Sequence, residues 1–279
     1  MAKQNNRGSP PVTACIVISD LHCGCRFGLC PPDPVPLDGG GAYKPSRYQK
    51  FIWHLWDQFW NKWVPEVVGD RKFCVVINGD IIDGTHHNTV TQISHNLADQ
   101  LYIAKQVLSP IVKRAEGRVY VVRGTEAHGG RSGQEEDKLC EMLGIGPSQF
   151  SLWLNIGGKI LHFAHHIGSA NTLQTEPSGL IRELSSTMIQ AARWRGLLPD
   201  CIVRSHRHTN IEIRLQTSRG PSVAFCTAGW QLKTPFTYKI ALAKTAIPQI
   251  GGSAIIIENG DIISRHFVYV LKSESVKRV

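Results

Sequence analysis

A chain of 279 residues, 42% hydrophobic and 19% charged, can bury a substantial core, which excludes disorder of the whole. Its net charge of +9 favours anionic partners, because a positive surface potential concentrates them, but the basic residues are scattered apart from Lys272 to Arg278 and form no nucleic-acid-binding arm. No apolar run approaches the roughly 20 residues of a bilayer span, and the start MAKQNNRGSPPV lacks a secretory apolar stretch, so the expectation is a cytoplasmic protein without membrane contact.

Residues 1–12 are expected to be disordered, residues 13–271 to form one domain, and residues 272–279 to be a basic tail. Cys15 to Ile18 is a continuous apolar run, expected as a strand buried on both faces, and the polar residues begin where it stops. The stretch from Leu29 to Pro45, rich in Gly and Pro, resists regular structure and is expected as a flap beside the strand ends. From Tyr48, the residues Phe51, Ile52, Leu55, Trp56, Phe59, Trp60 and Trp63 recur at helical spacing. That period marks a core-packing stripe rather than a base-stacking surface.

Phe73 to Ile77 and Val119 to Val122 are two further strands, separated by a helix from about Ile93 to Arg114. Strand, helix, strand, helix, strand is the pattern of parallel crossovers, which places an active site where those strands end. Beyond Phe150 the pattern turns antiparallel: a hairpin around Gly157-Gly158, a helix from about Ser178 to Arg195, a strand at Cys201 to Val203, and hairpins over Ile211 to Cys226 and Ala254 to Leu271. Two packed mixed sheets with helices outside fit this order better than one doubly wound sheet. Cys15, Cys74, Cys201 and Cys226, which lie in apolar runs, are read as small core residues, and Cys23, Cys25 and Cys30 lack the paired spacing of structural zinc.

Five apolar strands end in metal-ligating residue types: Asp20 and His22; Asp80 and Asp83; Glu126 and His128 of Gly-Thr-Glu-Ala-His; His165 and His166; His206 and His208. A lone His or Asp at a strand end is usually a turn former, but each strand carries its terminal side chains to one edge of the sheet, where residues far apart in sequence can converge. Convergence of Asp20, His22, Asp80, His165, His206 and His208 would make a carboxylate and imidazole site suited to Mn, Fe, Zn, Co or Ni. Two cations sharing such a site neutralise a phosphate and lower the pKa of a shared water.

In these blocks the chain resembles the calcineurin-like metallophosphoesterases, whose pattern is D-x-H, G-D-x-x-D, G-N-H-D/E, H and G-H-x-H. The resemblance spans Asp20 to His208. It implies an α/β fold of four layers, two mixed central sheets flanked by helices, and two divalent cations per chain, manganese foremost. By position, Asp20, His22 and His208 would hold one ion, Asp80 would bridge, and His165 and His206 would hold the other, with His166 competing for the role of His165. Asp83 would orient a ligating histidine without touching metal.

The third block lacks the family's Asn. Glu126, or more weakly Thr125, would supply the oxygen instead, and His128 would act as general acid toward the leaving group. Arg207, between two such histidines, would contact the phosphate, with His86, His87, Asn88 and Arg123 as further contacts or as solvated loop residues. The Gly-Thr-x-x-His variant is similar to members encoded by phages and prophages.

The activity implied is hydrolysis of a phosphate monoester or diester, with a nucleotide or nucleic acid as the substrate that the charge favours. The alternatives are a nuclease, or a metal- or nucleic-acid-binding module whose altered third block has lost catalysis. No residue pattern addresses self-association.

Overall fold

A computed structural model describes residues 11–86, 89–130, 133–168, 175–235, 237–239 and 249–271. The expected disordered start up to residue 10, His87, Asn88 and the basic tail lie outside these described residues.

The first sheet grows from β1 (Val12–Ile18), whose alternate residues face two different layers. Ala14, Ile16 and Ile18 pack toward the helices, while Cys15 and Val17 face the second sheet. The hydrophobic run thus has two partners, as a strand buried on both faces requires.

The stretch expected as a flap contains a short hairpin of β2 (Val35–Pro36) and β3 (Ala42–Tyr43). Leu29, Cys30 and Val35 are buried in the helix-side core, and Asp38 N–H donates to Asp99 Oδ1 (2.7 Å). Apolar anchors at its start and a polar tie at its tip therefore fasten this segment to the body.

Ser46 opens α1 (Arg47–Gln58) with a capping box: its hydroxyl accepts from the Gln49 N–H, and Gln49 accepts in return from the Ser46 N–H. Such a cap contributes about 1 kcal/mol. The helix does not run on regularly as its period predicts. Phe59–Trp63 widens into a π-helical turn before α2 (Val64–Val68), which carries Pro65 in its first turn. Proline has no N–H and its ring crowds the preceding turn, which accounts for the local widening. The aromatic stripe is core: Trp56 and Phe59 pack against Trp230, with ring centroids 4.8 and 5.4 Å apart.

Next come β4 (Lys72–Asn78) and α3 (Leu97–Arg114), capped by Asn96. The helix begins four residues later than expected, after Asn96, whose backbone is extended and whose side chain accepts the Ala98 N–H (3.0 Å). β5 (Val119–Val122), α4 (Glu126–Gly129) and α5 (Gln134–Leu143) complete this half.

The second sheet holds β6 (Leu152–Ile156), β7 (Lys159–Phe163), β8 (Cys201–Arg204), β9 (Ile211–Thr217) and β10 (Gly220–Cys226), with α6 (Ser178–Trp194) outside it. The long hairpin β11 (Gln249–Glu258) and β12 (Asp261–Val270) returns to the first sheet, turning at Asn259-Gly260.

Strand order is β12-β11-β1-β4-β5 in one sheet and β6-β7-β8-β10-β9 in the other. In the first sheet β1, β4 and β5 are parallel, and in the second β7, β8 and β10 are parallel. Cys15, Val17, Cys74, Val76 and Ile255 meet Leu161, Phe163, Val203 and Phe225 between the sheets. Ile202, Ala224 and Cys226 pack outward with Leu180 and Leu184 of α6. The result is the expected order of helices, sheet, sheet, helix. All eight cysteines are buried and free. No helix among the described residues is long and apolar enough to cross a membrane.

Candidate metal centre

The polar blocks gather where β1, β4, β5, β7 and β8 end. Of the eight non-glycine residues with positive φ among those described, five belong to these blocks: Asp20, His22, Asp80, His206 and His208, at 44° to 73°. A side chain in this region costs about 1 kcal/mol, so the chain bends sharply here against its local preference. Each bend turns a carboxylate or imidazole inward immediately after the strand.

Two glycines make room for this. Gly79 has φ +88°, and a Cβ there would lie 2.4 Å from His165 Nδ1. A Cβ on Gly124 would lie 2.2 Å from Asp80 Oδ1. The glycine of the second block and that of the third therefore admit the side chains that they flank.

Asp80 is the hub, and it is buried. Its Oδ1 accepts from the Thr125 N–H (2.7 Å) and from the Thr125 hydroxyl (3.1 Å). Around Oδ2 stand three imidazole nitrogens: His165 Nε2 at 3.0 Å, His206 Nδ1 at 3.8 Å and His128 Nε2 at 3.9 Å. Asp20 accepts from the Ser19 hydroxyl at Oδ2 (2.6 Å), and its Oδ1 faces His208 Nε2 at 3.2 Å. His22 Nδ1 lies 3.3 Å from Asp83 Oδ1, and Asp83 also accepts from Gln92 and Gln231.

Among the described residues, donor atoms within 4.8 Å of one another fall into four sets: Asp20, Asp80, His165 and His206; Asp20, His22 and His208; His22, Asp80 and His128; and Asp83, His86 and His128. Asp20 Oδ1 and both ring nitrogens of His22 are buried without a hydrogen-bond partner among the described residues. Leaving such atoms unsatisfied costs about 1–3 kcal/mol each, and a divalent cation would satisfy Asp20 Oδ1 and His22 Nε2 together, while His22 Nδ1 lies 3.3 Å from Asp83 Oδ1. Carboxylate and imidazole are the donor types that Mn, Fe, Co, Ni and Zn accept. The residues fit a metal.

The charges respond to this crowding. Burial opposes ionisation of Asp80, but His165 outweighs it and holds the carboxyl well below the usual range. Burial likewise opposes the charge on Asp20, and His208 and His165 reverse it. For Asp83, His22 and His86 do the same. Burial would discharge His165, yet Asp80 and Asp20 push it up to about 10. His128 has no such surplus of anions: burial and the neighbouring His22 lower it to about 4.

Of the residues singled out in the sequence, Asp20, His22, Asp80, His165, His206 and His208 meet at this centre, with Asp83 and His128 against them. His165 is buried inside it and His166 is exposed and in none of the donor sets. Two expectations are corrected. Glu126 starts α4, is exposed, and belongs to none of the sets, because helix formation at that point turns its side chain to solvent. Arg207 donates to the carbonyls of Glu176 and Gly168, so its guanidinium fastens the segment before α6 rather than facing a phosphate. Arg123 is likewise engaged, with Asp137, Ser148 and the Phe150 ring.

Sequence reasoning missed Glu136. It is buried in α5, accepts the Gly124 N–H at 2.8 Å, and is raised by burial to about 7. Its only sequence signal was an acidic first helical turn, shared with Glu135 and Asp137.

Two mixed sheets back to back, helices outside, and five polar blocks gathered at one end are what the sequence resemblance implies. The fold is α/β, with two mixed five-stranded sheets between flanking helices. No family model matches the sequence, and no curated protein matches it. Among solved structures, the chain is similar to an archaeal phosphodiesterase, at 10% identity and a TM-score of 0.43, over 92% of this chain and 99% of that one. It is also similar to YfcE, a phosphoesterase from E. coli (13%, TM-score 0.39, 91% and 98%). A third likeness is to vacuolar protein sorting 29 from Cryptosporidium parvum (11%, TM-score 0.36, 94% and 100%).

Proposed function

We propose that this protein is a metal-dependent phosphoesterase that hydrolyses phosphate esters at the centre around Asp20 and Asp80. The observation that carries the reading is the pair of donor sets sharing buried Asp20, whose Oδ1 lacks a hydrogen-bond partner among the described residues. Asp20, His22 and His208 would hold one divalent cation, and Asp80, His165 and His206 the other. When bound, the cations supply Lewis acidity toward the phosphate and an activated water as nucleophile.

The chain's own residues prepare for this. Asn78 O accepts from His165 Nδ1 (2.6 Å), which leaves Nε2 to face Asp80. Asp83 holds the ring of His22. The Thr125 amide fixes Asp80 Oδ1 and so orients Oδ2 toward the imidazoles. A net charge of +9 attracts anionic esters, which favours nucleotides and nucleic acid as the substrate class.

The test is metal content of protein purified without chelator, together with manganese-dependent hydrolysis of bis-p-nitrophenyl phosphate and p-nitrophenyl phosphate. Wild type should carry close to two ions and turn over. Asp80→Asn should lose metal and fall at least about a thousandfold in rate, about 4 kcal/mol of barrier. The preferred ester separates diesterase from monoesterase. A metal-free, inactive wild type under every cation tried refutes the reading.

A further inference from the structure

We infer that His128 is a metal-holding residue, supplying through Nε2 the donor that the missing Asn of the third block would otherwise provide. This rests on the phosphoesterase reading and replaces the general-acid role that the sequence pattern assigns to His128.

The argument begins with the other ring nitrogen. His128 Nδ1 lies 2.6 Å from Asp83 O. A backbone carbonyl only accepts, so the hydrogen sits on Nδ1. The neutral ring then presents a lone pair, not a proton, at Nε2. A proton donor facing the substrate would need a second proton, on Nε2.

His165 is mounted in the same way. Its Nδ1 lies 2.6 Å from Asn78 O, and its Nε2 faces Asp80 Oδ2 at 3.0 Å. His128 faces the same oxygen at 3.9 Å. Clamping one imidazole nitrogen on a carbonyl to fix the tautomer of the other is the usual mounting of a metal-ligating histidine. Two atoms each about 2.1 Å from one ion lie roughly 3–4 Å apart, and Asp80 Oδ2 and His128 Nε2 have that separation.

The surroundings complete the case. His22, Asp80 and His128 form a donor set of their own, and the rings of His22 and His128 meet edge to face at 4.5 Å. The third block's other polar residue nearby, Thr125, donates through both N–H and hydroxyl to Asp80 Oδ1 and so offers the carboxylate protons. Glu126 is exposed. Within this block His128 alone aims a lone pair at the centre. The centre would thereby have an imidazole from the third block where the family pattern has an amide oxygen.

The experiment titrates Co2+ into metal-free wild type, His128→Ala and His128→Gln, following visible absorption and heat, with thermal melts of the metal-free forms as a folding control. The expected result is a Co2+ affinity at least about 10-fold to 100-fold weaker in His128→Ala, with an altered absorption band. His128→Gln, which retains a side-chain oxygen at similar reach, should recover part of that loss. Activity of His128→Ala should drop alike for a p-nitrophenyl ester and an alkyl ester, and recover partly at high Co2+. Unchanged affinity and spectrum, with activity lost only on the alkyl ester whose leaving group needs a proton, overturn the inference and restore the acid role while leaving the phosphoesterase standing. No Co2+ uptake by wild type overturns both.

Discussion

Metal binding at this centre should be strongly pH-dependent, because in the metal-free chain a proton holds the place of an ion. His165 sits between Asn78 O and Asp80 Oδ2, and the two aspartates push it up to about 10. Below that pH the metal-free ring carries a proton on Nε2, which a cation must displace. Affinity therefore rises with pH, tenfold per unit, until about pH 10. Between pH 8 and pH 6 it should fall about 100-fold, close to 2.7 kcal/mol, whereas a histidine with an ordinary pKa near 6.5 would give only about a fourfold fall. His208, also raised despite its burial because Asp20 faces it, steepens the dependence at the neighbouring position. Competition with a fluorescent chelator at constant ionic strength measures the affinity, and calorimetry in buffers of different ionisation enthalpy counts the protons released. A fall of less than about tenfold over this range would refute the displaced-proton account.

Three further outcomes follow from the packing. Asp83→Asn keeps the shape but loses the charge that holds His22 and His86, and should weaken metal binding about 10-fold to 100-fold in the same competition assay. Gly79→Ala places a methyl 2.4 Å from His165 Nδ1 at φ +88°, so it should lose metal and about 1–3 kcal/mol of stability, read by metal content and thermal melting. Burial raises Glu136 to about 7, so between pH 5 and pH 7 the folded chain keeps a proton that the unfolded chain has released, and stability falls as pH rises. Glu136→Gln should remove that fall, gaining of order 1–3 kcal/mol on wild type between pH 5 and pH 8 in denaturant melts; parallel pH profiles would count against it.

What the sequence made legible was whatever depends on one chain direction at a time. The run Cys15 to Ile18 stops being apolar where β1 ends, and the same holds at Ile77 and Val122, so strand ends and the residues following them could be located. Parallel order then brings those residues to one edge. The role of Glu126 was not legible, because a helix begins there and carries it outward, while Glu136, ten positions on, folds back to the Gly124 amide. Local pattern cannot tell these two glutamates apart, since only the packing of α5 does. Arg207 reads as a phosphate contact from its neighbours in sequence, yet its guanidinium is captured by carbonyls more than thirty residues away. The segment before α1 reads as loose from its Gly and Pro content, but three apolar residues anchor it. The mounting of His128 on Asp83 O depends on one backbone carbonyl, which no side-chain spacing records.

The left-handed bends at Asp20, His22, Asp80, His206 and His208 set folding and function at odds. Glycine adopts those angles freely, and asparagine more readily than most residues. A campaign that ranks variants by heat resistance alone would therefore enrich Gly or Asn at these five positions, each replacement relaxing the backbone by about 1 kcal/mol while relieving repulsion or burial of charge. Its winners would be better-behaved proteins with an erased site. A laboratory seeking a robust version of this chain should hold the five positions fixed and look for gains elsewhere.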